Sequence, residues 1–186
     1  CWLAALGGCF GLGMFVTFFP LHGQERDLSV AQIGLAFFVQ GGFNAVSRIP
    51  LGRWTDRVSD RRSLVVAGLA SFAASLVGLG VARTLAGFLF WSAAMGVSMA
   101  LAFTSVGALT AEATPPALRG LAMGGYNACV FFGMMLNAAL MGRVAQAQGF
   151  AVSFSIAGLV VVATAAGFLV LTRGLAPRAR AADVAG

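Results

Sequence analysis

Apolar residues run in six long stretches, and the short segments between them hold nearly all of the charge. The stretches cover about 1–20, 32–51, 63–82, 85–109, 120–141 and 150–171. A helix of about 20 apolar residues is long enough to cross the hydrocarbon core of a bilayer, and only Arg48 among the charged residues lies inside a stretch. We therefore predict an all-α membrane protein, with a six-helix transmembrane bundle over 1–172 and a cytoplasmic basic tail over 173–186.

The composition agrees with lipid as the surrounding medium. Hydrophobic residues make up 59% of the chain, charged residues 10%, and the mean hydropathy is +0.90, whereas soluble domains carry about 25% charged residues. These values exclude a soluble domain, and we expect no nucleic-acid partner. All 12 basic residues are Arg, which suggests a GC-rich genome and, with it, a bacterial inner membrane.

Arginine placement predicts the orientation, because cytoplasmic loops retain positive charge. The second loop, the fourth loop and the tail hold Arg53, Arg57, Arg61, Arg62, Arg119, Arg173, Arg178 and Arg180. The other loops hold Arg26, Arg83 and Arg143. Both ends of the chain are therefore expected in the cytoplasm, and the first loop, in which this division places His22, is expected outside.

The segment from Gly52 to Leu64 resembles the signature loop of the major facilitator superfamily, Gly-x-Leu-x-Asp-Arg-x-Gly-Arg-Arg-x-x-Leu. Gly52, Asp56, Arg57, Arg61 and Leu64 match in register, while Trp54, Ser59 and Asp60 replace the usual Leu, Gly and Arg. The resemblance implies a conformational latch on the cytoplasmic side, made of Gly52, Asp56, Arg57 and Arg61. For the arginines, a plain role in setting the topology is an equal alternative.

Two further segments resemble the same superfamily. Residues 27–34 are similar to its external approach to a second helix, and residues 112–120 to its joint between the fourth and fifth helices. The superfamily builds twelve helices from two six-helix halves, each made of two three-helix inverted repeats. The resemblance implies that this chain is one half, which the basic tail and the degenerate loop favour as the C-terminal half.

The resemblance also implies a function. We expect secondary active transport of a small-molecule substrate by alternating access, with drug or metabolite efflux as one form of it. The expected partners are the missing six-helix half of the same chain and membrane lipid. No Asp or Glu lies deep in a span, so a carboxylate for proton coupling is expected in the missing half. Antiport, symport and facilitated diffusion all stay open.

Polar residues within the spans are the candidates for a substrate pathway, because they are costly in lipid. Gln40, Asn44 and Arg48 share one face of the second span, and Asn127 and Asn137 lie in the fifth. The amides could instead bond between helices as packing contacts. Arg48, about three residues from the end of its predicted span, could instead extend to the cytoplasmic interface.

Other classes of protein fit less well. An intramembrane serine protease would need the motif Gly-x-Ser-x-Gly and a histidine later in the chain. The nearest segment, residues 96–100, ends in Ala100 where the motif has its second glycine, and the single histidine, His22, comes earlier. The three cysteines, Cys1, Cys9 and Cys129, are isolated, so no metal site or other cofactor is expected. We expect no enzyme, and the alternative function is a stand-alone six-helix scaffold or dimerising protein without transport.

Overall fold

The computed structural model describes residues 1–55, 58 and 60–172, and over these ranges it is helical without any strand. Its six long helices are α1 (Trp2–Glu25), α2 (Val30–Thr55), α3 (Arg61–Val81), α4 (Leu85–Ala113), α5 (Arg119–Gln148) and α6 (Phe150–Thr172). Each is long and apolar enough to cross a membrane. The predicted all-α membrane fold is therefore confirmed.

Local sequence explains where several helices begin and end. The carboxylate of Asp60 accepts the backbone N–H of Arg62 at the start of α3, at 3.1 Å, and the Thr84 hydroxyl caps α4 in the same way. Both side chains satisfy a backbone donor that has no partner within the helix. Pro115 and Pro116 separate α4 from α5, and the chain between them forms a single 3-10 turn over Pro116–Leu118.

Two helices extend beyond their apolar stretches. Helix α1 continues through Pro20 to Glu25, so His22 lies within a helix and not in the first loop. Helix α2 continues to Thr55, which places Arg48 seven residues before its end, against the three expected from the sequence. The apolar pattern located the helices but underestimated their length.

The packing of the six helices repeats itself. Helix α2 packs on α4 as α5 packs on α1, α3 packs on α4 as α6 packs on α1, and α3 and α6 pack on each other. Exchanging α1–α3 for α4–α6 therefore reproduces the main contacts. This arrangement is the one that two three-helix repeats require.

Glycines bring the helix backbones together at the centre of these contacts. A Cβ atom at Gly96 of α4 would overlap the carbonyl oxygen of Gln40 on α2, and one at Gly133 of α5 would overlap that of Leu6 on α1. A Cβ atom at Gly13 of α1 would lie 3.1 Å from the Cα atom of Met134. Small residues at such points let helices associate in lipid, where no hydrophobic force drives association.

The helices differ strongly in how much of their surface the bundle covers. In the most apolar part of α1, 67% of the residues are buried, but in α2 only 11% are. Large apolar side chains stand exposed on α2 and α5, among them Phe38 (75% exposed) and Phe131 (71% exposed). The core lies around α1 and α3, while α2 and α5 present broad apolar faces that these six helices leave uncovered.

Candidate functional site

A line of polar side chains runs along α2 where it packs on α4. Gln40, Asn44 and Arg48 are four residues apart, so they lie on one face of the helix. The Gln40 amide donates to the Sδ atom of Met99 at 3.5 Å. The Asn44 Nδ2 atom donates to the carbonyl oxygen of Gly96 at 3.1 Å. The structure thus places Gln40 and Asn44 at the contact between α2 and α4, while Arg48 follows one turn later and is exposed.

Asn44 is held at both ends of its amide. While Nδ2 binds α4, the Oδ1 atom accepts a hydrogen bond from Nε of Arg48 at 3.1 Å. Gly96 makes this possible, because the absence of a side chain there lets the α2 backbone approach the carbonyl. An amide that bonds both a backbone carbonyl and a guanidinium fixes the side chain of the arginine relative to α4.

The fifth helix places its candidates on different surfaces. Asn127 is exposed on the face of α5 that the bundle leaves uncovered. Asn137 is 0% exposed and lies against Gly13 of α1, where a Cβ atom would be 3.0 Å from its own. Neither amide atom of Asn137 has a hydrogen-bond partner in the part of the chain that the structure describes.

The predicted latch loop is described only in part. Asp56 and Arg57 lie outside the described residues, and a Cβ atom at Gly52 would meet no described atom within 4 Å. Arg61 starts α3, and its Nη1 atom forms an ion pair with Glu112 Oε1 at 2.6 Å. Arg62 donates from Nη1 to the carbonyl oxygen of Thr172 at 2.6 Å. The start of α3 is thereby connected to the ends of α4 and α6.

Glu112 is a residue of this cluster that sequence reasoning missed. The sequence placed it in the joint after the fourth span but gave it no part in the latch, because 51 residues separate it from Arg61. A signal was present, since Glu112 is one of only six acidic residues in the chain and follows a span on the side that carries the basic loop.

His22 was also placed wrongly by the sequence, which treated it as part of an external loop. The residue is 1% exposed, and its ring lies 5.5 Å from that of Phe154 and 5.9 Å from those of Phe88 and Phe150. These rings belong to α4 and α6, near the external ends of the bundle under the predicted orientation. We therefore assign His22 to the packing between α1, α4 and α6.

Nothing in the described residues points to a metal centre, since no three His, Cys, Asp or Glu side chains come together there. The arrangement defines a multi-pass membrane protein made of two equivalent three-helix units. The polar side chains of Gln40, Asn44 and Arg48 lie along one face of its second helix. Comparison with known families agrees, because the model of the Major Facilitator Superfamily matches residues 1–185. The chain belongs to this superfamily, as its sequence predicted.

A curated relative extends the comparison. The chain is 22% identical over 164 residues to an uncharacterized MFS-type transporter of Methanocaldococcus jannaschii. The match covers 88% of this chain but only 42% of the relative. The chain therefore spans less than half of the length of the relative it matches. Membership of this family points to transport and not to an enzyme.

Proposed function

We propose that this chain is one half of a secondary active transporter that moves a small solute across the bacterial inner membrane by alternating access. The observation that carries the proposal is the line of Gln40, Asn44 and Arg48 inside a membrane helix. Polar and charged groups at this depth are costly in lipid and are typical of a substrate pathway. Gln40 and Asn44 bond to α4, but Arg48 is exposed, and packing within the bundle does not account for its position.

The second half of the transporter would cover the exposed faces of α2 and α5. These helices carry large apolar side chains that the bundle leaves mostly exposed, such as Val46 (73% exposed) and Leu121 (72% exposed). Transporters of this type bind their substrates between two repeats near the middle of the membrane. We place this chain as the C-terminal half, with both of its ends in the cytoplasm. Asn127, exposed on α5, would then face the other half.

Asn137 would contribute to the pathway only after a rearrangement. In the present arrangement it is buried between α5 and α1, and its amide is unbonded among the described residues. A buried amide without partners costs about 1–3 kcal/mol. A movement of α5 against α1 that gave the amide a partner would relieve this cost, and we propose that the second arrangement does so. Alternating access requires two such arrangements.

The cytoplasmic cluster would act as a latch in one of them. Arg61 and Glu112 join α3 to α4, and Arg62 joins α3 to α6. Because the Glu112 side chain is 57% exposed, the ion pair alone is worth only about 0.2–1 kcal/mol. A latch of this size holds the helix ends together without preventing them from separating. Gly52, in the last turn of α2, and Asp56 and Arg57, which lie outside the described residues, complete the proposed latch.

Transport can be tested before the substrate is identified, with everted membrane vesicles from cells producing the full-length protein. The vesicles are incubated with a small-molecule extract of the source cells, and their contents are compared by mass spectrometry. We expect at least one solute to accumulate with the wild type and to be lost with Asn44→Leu. The matched variant Gln24→Leu changes an exposed amide at the end of α1 and should behave as the wild type.

Equal vesicle contents for the wild type, Asn44→Leu and empty membranes would contradict transport. In that case, a stable dimer formed through α2 and α5 would support the alternative, a scaffold without transport activity. Crosslinking between cysteines introduced at Phe38 and Phe131 of two copies would identify such a dimer.

A further inference from the structure

Arg48 is a membrane-embedded cation whose charge has no counterpart in the described residues. The four carboxylates there are Glu25, Asp27, Asp60 and Glu112, and all of them lie at helix ends or in loops. Glu112 is already paired with Arg61. The hydrogen bond of Arg48 goes to the amide of Asn44, which is neutral. Residues 1–55, 58 and 60–172 therefore leave the positive charge of Arg48 uncompensated, on a part of α2 that the bundle does not cover.

The backbone of Arg48 lies within the hydrocarbon core that the length of α2 implies. A hydrocarbon core about 20 residues deep, centred on the 26 residues of α2, covers roughly positions 33 to 52. Arg48 then lies about 6 Å inside the core, at about 1.5 Å per residue. Its distance from the end of α2 is seven residues, or about 10 Å.

The direction of the side chain indicates where the charge lies. Asn44 lies one turn closer to the middle of α2 than Arg48, and it accepts the Nε–H of Arg48 at 3.1 Å. This bond draws the guanidinium toward the middle of the membrane. Extension to the cytoplasmic interface would require the opposite direction, toward Thr55. Asn44 is itself fixed to the carbonyl of Gly96, so the arrangement is anchored to α4.

The bond also determines which donors remain for a ligand. A guanidinium has five N–H donors in a rigid plane, and Nε uses one of them here. The remaining four, on Nη1 and Nη2, form the fork that matches the two oxygens of a carboxylate or a phosphate. Arg48 is exposed in the part of the chain that the structure describes, so the fork is open to a ligand.

We propose that the substrate of this transporter carries an oxyanion, a carboxylate, sulfonate or phosphate, which the Nη1 and Nη2 atoms of Arg48 bind. The inference rests on the proposed transport function and specifies the chemical class of the solute. The anion would supply the charge that the bundle lacks. A phosphate headgroup of a lipid offers the same chemistry, but it stays at the bilayer surface, whereas the Nε bond points Arg48 inward. The ligand is therefore a solute.

The proposal is tested with five small probes built on one aromatic ring. Benzoate, benzenesulfonate and phenyl phosphate carry the three oxyanions. Benzamide has nearly the shape of benzoate without the charge, and benzylamine carries the opposite charge. The purified full-length protein, in nanodiscs of zwitterionic lipid, is titrated with each probe while its melting temperature is measured. Uptake of the same probes is measured in proteoliposomes.

We expect at least one oxyanion to raise the melting temperature in a saturable manner and to enter the proteoliposomes. Arg48→Gln should weaken its apparent affinity at least tenfold. Arg53→Gln removes a charge from the exposed end of the same helix and should leave the affinity unchanged within twofold. If Arg48→Gln fails to fold, Asn44→Asp serves in its place, because a carboxylate one turn away neutralises Arg48 and should also abolish anion binding.

Several results would overturn the proposal. The first is that none of the three oxyanions binds. The second is that benzamide binds as well as benzoate, and the third is that Arg48→Gln binds an oxyanion with the affinity of the wild type. A stabilisation by anionic lipid that depends on Arg48, without binding of any soluble oxyanion, would assign the charge to lipid and overturn it as well. Uptake of benzamide or benzylamine, without uptake of any oxyanion, would contradict an oxyanion as the substrate class but would support the proposed transport function.

Discussion

The carbonyl oxygen of Gly96 on α4 accepts the amide N–H of Asn44 on α2 at 3.1 Å. The bond exists because Gly96 has no side chain, which lets the backbones of the two helices touch. Asn44 in turn accepts from Arg48. One glycine therefore determines the packing of α2 on α4 and, through Asn44, the position of the arginine proposed to bind substrate.

Replacing this glycine should separate α2 from α4. A Cβ atom in Gly96→Ala would overlap the Gln40 carbonyl and lie 3.1 Å from the Phe43 Cβ atom. Because backbone atoms cannot move aside as flexible side chains do, we expect destabilisation of about 1–3 kcal/mol and loss of transport. The Cβ atom of Gly107→Ala on the same helix would meet no described atom within 4 Å, so this variant is the matched control. Equal melting temperatures for the two variants would contradict the close contact.

The cytoplasmic ion pair predicts a modest and specific effect. Glu112→Gln keeps the size of the side chain but removes its charge, so the bond to Arg61 at 2.6 Å weakens. We expect the equilibrium between the two transport states to shift by up to about fivefold, since the exposed pair is worth about 0.2–1 kcal/mol. Spin labels on the cytoplasmic ends of α3 and α4 would measure the shift. Glu25→Gln, at the other end of the bundle, should leave the distribution unchanged.

The two aspartates of the loop should respond differently to the same change. Asp60 caps α3 by accepting the N–H of Arg62, and Asn caps a helix about as well as Asp, so Asp60→Asn should transport nearly normally. If Asp56 makes the proposed latch contact, Asp56→Asn loses a charge-assisted bond of about 1.5–3 kcal/mol and shifts the two states about tenfold or more. Equal losses of transport would show that the loop acts through its total charge. Normal transport by Asp56→Asn would refute the latch at that position.

The proposed orientation can be tested with single cysteines in a background without Cys1, Cys9 and Cys129. An impermeant maleimide should label Glu25→Cys from outside intact cells and Ser63→Cys only after the cells are opened, since both side chains are exposed. His22→Cys should react from neither side, because the position is 1% exposed. Labelling of Ser63→Cys in intact cells would contradict the proposed orientation and indicate the opposite one.

The unbonded amide of Asn137 separates stability from transport. Asn137→Leu removes two buried polar atoms that have no described partner, so the protein should be at least as stable as the wild type. Transport should fall if Asn137 joins the pathway in the second arrangement. Melting temperature and vesicle accumulation, measured on the same preparation, distinguish the two properties. Wild-type transport by Asn137→Leu would remove this residue from the proposed pathway.

Patterns within single segments were predictable from the sequence. The six helices, the break at Pro115 and Pro116 and the common face of Gln40, Asn44 and Arg48 all depend on residues close together in the chain. The superfamily was recognisable from the same kind of information, because the loop after the second helix carries its residues in order. The helix ends were less predictable, since polar residues such as His22 and Thr55 continue a helix when neighbouring helices cover them.

Contacts between distant segments were decided only by the tertiary structure. Neither the bond from Asn44 to Gly96, 52 residues apart, nor the ion pair from Arg61 to Glu112, 51 residues apart, has a signature within its own helix. The face that a helix turns toward its neighbours depends on how small residues let backbones approach. The sequence by itself determined that the chain crosses the membrane as six helices, because transfer of apolar segments into lipid is a local property. The structure decided which polar groups meet, because that depends on the packing of all six.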